Sequence, residues 1–169
     1  MTDTAPLEVQ DILHRTSRSR QALVSALHRL PDDAFGSEPP GEWGAARILR
    51  HVVFVERYWT LLVETLRRTP EQQVALPPEM LNRLAQEAGR QAETSPVEPA
   101  PFLSRREALR HLGASRTALE AAVRALRPVD FQRAFSLPRS EVLPLRFAIE
   151  HVIEHDWDHA VQITALSSG

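Results

Sequence analysis

The chain has 169 residues (19.0 kDa), 43% of them hydrophobic and 25% charged, which suits one globular domain, spanning 1–169, able to bury a core. Its 20 basic against 22 acidic residues leave a net charge of -2, which argues against a nucleic-acid footprint. Cysteine and lysine are both absent, so disulfides, thiolate nucleophiles, thiolate metal ligands and lysine Schiff bases are excluded.

The opening MTDTAPLEVQ lacks the basic-then-apolar pattern of a secretory signal, and no stretch approaches a membrane span. A cytoplasmic, soluble protein is the expectation. A first helix is predicted after Thr4 as N-cap, with Pro6 in its first turn. Val9, Ile12, Leu13, Leu23, Val24, Leu27 and Leu30 form its apolar stripe, and Pro31 stops it. A second spans about 45–67, with Ile48, Val52, Val55, Trp59, Leu62 and Leu66 on one side. A proline-rich connection follows, with a short helix predicted at about 79–92.

The third long helix begins after Ser104, where Glu107 offers a capping box, and carries Leu109, Leu112, Leu119, Val123 and Leu126 up to Pro128. VDFQRAFSL, 129–137, carries a weak extended signal. The fourth long helix runs from near Pro144 to about Leu166. The expected fold class is all-α: a four-helix bundle with a long crossover between helices 2 and 3, which lets neighbouring long helices run parallel.

The fourth helix holds the unusual residues. Its seam reads Leu145, Ala148, Val152, His155, His159, Gln162, Leu166, placing two imidazoles where a core asks for apolar side chains. At about 100° per residue, His159 projects near the middle of the apolar face and His155 toward one edge. His151 falls outside, on the side of Glu154 and Asp158. Histidines four apart on a helix can grip one metal ion. His51 lies within the second helix's apolar stripe. Alone it reads as a hydrogen-bonded core histidine. With His155 and His159 it makes three neutral imidazoles, a set suited to a divalent ion of the zinc, nickel or iron class. His14, His28 and His111 have no such partners and read as surface or boundary residues. HDWDH departs from the zinc-protease HExxH, because Asp156 replaces the glutamate. No Glu-x-x-His occurs, which argues against a ferritin-like di-iron centre.

The stretch GEWGAARILRHVVFVERYW, with Trp43, His51 and Glu56, resembles the second-helix signature of the DinB-like (DinB/YfiT-type) superfamily. EHVIEHDWDHAVQI resembles its fourth-helix signature. The resemblance implies His51, His155 and His159 as metal ligands, the same three residues that the helical faces select. Many members follow the last ligand with Arg-Gly-Gln; this chain has Ala160-Val161-Gln162. The family implies a metal-dependent transferase, isomerase or hydrolase. Its partners would be a small-molecule substrate and a low-molecular-weight thiol, with homodimers frequent. The alternative is a non-catalytic helical ligand-binding or stress-response protein. Glu154, Asp156 and Asp158 are available to orient the ligand imidazoles, and Tyr58 to hydrogen-bond a substrate or simply to pack. Trp59 and Trp157 read as packing residues.

Overall fold

The structure is a computed structural model that describes residues 7–95 and 98–167. Four long helices dominate: α1 (Leu7–Arg29), α3 (Ala45–Arg68), α5 (Arg105–Arg124) and α6 (Leu145–Leu166). The short α2 (Asp32–Phe35) lies between α1 and α3, and α4 (Pro78–Ala92) lies within the crossover from α3 to α5. The N-cap expected at Thr4 and the turn at Pro6 lie outside the described residues. No helix is long and apolar enough to cross a membrane among the described residues.

Side-chain pairings give the helix directions. Arg50 meets Glu107 near the starts of α3 and α5, and Glu56 meets Ser115 further along, so these two neighbours run parallel. Arg15 meets Glu150 and Arg20 meets Asp156, so α1 and α6 are parallel as well. The two pairs oppose each other: Arg105, at the start of α5, donates to the carbonyls of Leu27 and Leu30 at the end of α1. The bundle thus has the parallel neighbours expected of a long crossover.

The predicted α5 cap is present with a one-residue offset. Ser104 Oγ accepts from the Glu107 amide, but Glu107 Oε2 accepts from the amide of Leu103 rather than from that of the N-cap itself. The extended signal at 129–137 materialises as β2 (Ala134–Ser136), which pairs parallel with β1 (Gln73–Ala75) and antiparallel with β3 (Val142–Pro144). β1 and β3 are additional to the sequence expectation; each is three residues long, too short for a period-2 signal. The sheet fastens the end of α3 to the start of α6 and buries Phe135 against Trp59, 6.4 Å between ring centroids.

The apolar core is in two parts. One joins Ile12, Trp59, Leu62, Leu119, Phe135 and Val152; the other joins Leu23, Ile48, Val53, Leu112, Ala160 and Ile163. A layer of polar residues separates them: Thr16, Ser19 and Arg20 from α1, Glu56 from α3, Ser115 and Arg116 from α5, and Asp156 from α6, all buried.

The segment before α3 is tightly folded. A Cβ on Gly44, the N-cap residue, would overlap the carbonyl oxygen of Ser37. Gly44→Ala is therefore expected to cost about 1–3 kcal/mol through forced backbone displacement. Thermal melts would show this as a drop of several degrees in Tm; an unchanged Tm would mean that the segment yields freely.

Candidate metal centre

His51 from α3 meets His155 and His159 from α6 at the seam between these antiparallel helices, where all three are half-buried. His155 is central: its Nε2 lies 3.1 Å from His51 Nε2 and 3.1 Å from His159 Nε2. One ligand atom of each ring lies within 4.8 Å of the others. His159 Nδ1 donates to Gln162 Oε1 at 2.8 Å, because a carbonyl oxygen only accepts. In the neutral ring this leaves the His159 Nε2 lone pair directed at its neighbours.

Protonation is a poor way to hold such a cluster together. Burial, and then the nearby His159 and His51, lower the His155 pKa to about 2. Burial, and then His159, lower that of His51 to about 4. With His159 Nε2 an acceptor, an Nε2–H on His155 can serve only one of its two neighbours at a time, so one of the two 3.1 Å contacts is left without a hydrogen bond. A divalent ion would accept a lone pair from each of the three rings at once. Two metal–nitrogen bonds of about 2.0–2.1 Å at a tetrahedral angle place their nitrogens roughly 3.3 Å apart, close to the spacing found here.

Aromatic rings border the cluster. Trp43 stands edge-on to His51 at 5.4 Å between centroids. His151 keeps Glu154 and Asp158 as electrostatic neighbours, as expected, but it does not lie outside: burial outweighs both acids and lowers its pKa. It is half-buried, 5.0 Å from the Trp59 ring and 5.9 Å from that of His155, and it stacks on Phe147. The apolar arc of α6 is broadened there by Trp59 reaching across from α3, which a face drawn from α6 alone does not include.

A family model described as the DinB superfamily matches residues 15–163. The chain belongs to that superfamily. Among solved structures, "YfiT from Bacillus subtilis is a probable metal-dependent hydrolase with an unusual four-helix bundle topology" is similar at 18% identity, with a TM-score of 0.66 over 99% of this chain and 91% of that one. The mycothiol-dependent maleylpyruvate isomerase is similar at 15% identity and a TM-score of 0.59. The alignment covers 92% of this chain and 60% of the isomerase, so the chain spans well under two thirds of that protein's length. A mutant form of the same isomerase aligns at 14% identity with a TM-score of 0.63. At these identities the likeness shows the fold alone. No curated protein matches the chain.

Within this DinB-superfamily bundle, the partner that orients His159 is Gln162, not one of the acidic neighbours. Glu154 and Asp158 are exposed. Asp156 is fully buried and turned away into the polar layer. There Arg20 donates through Nε to Asp156 Oδ2 (3.1 Å) and through Nη2 to Asp156 Oδ1 (3.2 Å) and Glu56 Oε2 (2.8 Å). Arg116 donates to Asp156 through Nη2, and its Nε lies 2.9 Å from Glu56 Oε1, in an ion pair too bent for a hydrogen bond. Ser115 donates to Glu56 and Ser19 to Asp156. Burial raises the Asp156 pKa against the pull of both arginines. The Arg20 charge also disfavours protonation of His155, though less than burial and the other histidines do.

Three other sequence expectations are resolved here. His14 and His28 are exposed as expected, whereas His111 is buried against Phe102, 5.2 Å between centroids. Trp59 packs in the core, but Trp157 is 43% exposed. Tyr58 is half-buried beside Phe54 and Trp59, a packing position.

Proposed function

We propose that the protein is a metal-dependent enzyme of the thiol-dependent transferase, isomerase or hydrolase type, with His51, His155 and His159 holding a divalent ion of the zinc, nickel or iron class. The observation that carries this proposal is the convergence of three imidazole Nε2 atoms at the α3–α6 seam. Each residue has a definable task. His155 is the shared corner, and His51 ties α3 to it. Gln162 keeps the His159 proton on Nδ1 and frees Nε2 for coordination. Trp43 restricts the His51 ring from the preceding loop. An ion bound there supplies Lewis acidity and lowers the pKa of a coordinated water or thiol.

The chain has no cysteine, so any thiolate must arrive with a small-molecule cosubstrate. The mycothiol dependence in the name of the similar isomerase supports that class, and "probable metal-dependent hydrolase" in the YfiT description supports the metal. The test uses untagged protein reconstituted with zinc, nickel or ferrous iron. It is assayed with low-molecular-weight thiols against electrophilic substrates, and with activated esters and amides for hydrolysis. Turnover that follows metal content is the expected result. Stoichiometric metal with no turnover across the panel would leave a non-catalytic binding protein.

We also propose a homodimer through the α1–α6 face. Trp157 and Val161, 43% and 71% exposed, border a 430 Å³ recess lined by Ala22, Ser25 and Thr164. Arg18 and Arg29 on the same side of α1 have no ion-pair partner among the described residues, and both are exposed. Trp157→Glu should shift the mass measured by light scattering from two chains to one; a wild-type protein that is already monomeric excludes the interface.

A further inference from the structure

The polar layer occupies a costly place. Four buried charges sit between two apolar clusters, where apolar side chains of similar volume would serve stability equally well or better. Its connectivity is specific. Each arginine contacts both acids, and the four residues come from four different helices. The acids lie on the two helices that carry the histidines: Asp156 follows His155 directly, and Glu56 is just over one turn beyond His51. The arginines lie on the two helices that contribute no histidine to the cluster.

An apolar interface tolerates sliding of one helix along another, because dispersion and area burial are non-directional. Hydrogen-bonded charges do not, since displacement leaves a buried ion unpaired. Each contact in this layer therefore locks an axial position. Asp156 is fixed against α1 through Arg20 and Ser19, and against α5 through Arg116. Glu56 is fixed against the same two helices through Arg20 and Ser115. Because Arg20 and Arg116 are shared, the height of α3 relative to α6 is defined by the layer.

We infer that Glu56 and Asp156 are positioning residues for the histidine cluster, the Arg20–Glu56–Arg116–Asp156 layer setting the register in which His51 faces His155 and His159. This role rests on the metal proposal above, and it adds a function for charges that touch neither the ion nor a substrate. One rise of an α-helix is about 1.5 Å per residue, so even a one-residue slip of α3 against α6 exceeds the tolerance of a three-nitrogen site.

The test replaces the layer with apolar residues (Arg20→Met, Glu56→Leu, Arg116→Met and Asp156→Leu together), so that folding is retained while register control is lost. Circular dichroism and thermal melts report the fold; titration with Co(II) reports affinity through its Kd and ligand geometry through the visible d–d bands. The expected result is a folded variant with a Kd raised about ten-fold or more and altered d–d bands. If the quadruple variant does not fold, Glu56→Asp, which keeps the charge and shortens the arm, is expected to show the same changes to a lesser degree. A folded variant with the wild-type Kd and spectrum overturns the positioning role and leaves the metal proposal standing. Wild-type protein that takes up no Co(II) overturns the metal proposal, and the positioning role with it.

Discussion

Replacing both His155 and His159 with alanine is expected to abolish stoichiometric metal binding while the bundle stays folded. The two rings supply both 3.1 Å nitrogen contacts of the cluster, so the double variant leaves His51 as its only imidazole. Both are half-buried, which keeps the packing loss modest. Elemental analysis of untagged protein decides the point: metal content equal to wild type would remove the site. The same variant carries a pH signature in the metal-free state. The folded-state pKa values of His155 and His51 lie below the ordinary imidazole value of 6.5, at about 2 and about 4. Between those values and 6.5 the unfolded chain binds protons that the folded chain refuses. Stability is therefore full above pH 6.5 and declines as the pH falls. Urea midpoints of wild-type apoprotein should drop between pH 7.5 and 5, and the double variant should drop less because His155 no longer contributes. Equal slopes would mean that His155 titrates normally in the folded protein.

Asp156→Ala is expected to be the most damaging single substitution in the polar layer, costing about 3–5 kcal/mol. It leaves Arg20 and Arg116, both buried, with Glu56 as the only acid of the layer. Against a typical domain stability of about 5–15 kcal/mol, this approaches or reaches global unfolding at physiological temperature. Denaturant titration measures it; a cost below about 1 kcal/mol would show that the layer admits water and is far less desolvated than its geometry indicates. The comparison with the fully apolar replacement is informative. Removing one charge leaves others unpaired, whereas removing all four leaves none.

Much of the architecture was legible because it depends on periodicity. The boundaries of α3 and α6 and the start of α5 follow from apolar spacing, Ser104 and the prolines, whereas α5 ends at Arg124, before the expected Leu126 and Pro128. The histidine cluster was legible as well, since imidazoles interrupting an apolar seam are conspicuous on one helix and His51 occupied the matching stripe. What escaped depends on partners distant in sequence. His151 was assigned by the face of α6 alone, and its half-burial comes from Trp59 on another helix. The polar layer left a trace as well: the stripes of α1 and α5 have gaps, from Leu13 to Leu23 and from Leu112 to Leu119. Arg20 and Arg116 fill those gaps. Two coincident gaps on different helices mark a shared polar level, but only the bundle topology shows that they meet. Gln162 was noted as part of a motif, yet its hydrogen bond to His159 follows from side-chain geometry rather than from spacing.

The parallel pairing of α1 with α6 has a consequence for how the molecule comes into being. In an up-and-down bundle each helix docks on the one made just before it. Here α1 has most of its neighbouring surface supplied by the last helix, and Arg20 waits for Asp156, 136 residues later. Such long-range closure slows folding relative to local bundles, because chain entropy is lost before contacts compensate for it. During synthesis, Arg20 and Arg116 can pair with Glu56 once α1, α3 and α5 are made, but both lack Asp156, and His51 lacks its two partner rings, until α6 has left the ribosome. Assembly of the core and completion of the histidine cluster are thus tied to one late event, so that partly made chains expose apolar surface and present no finished site.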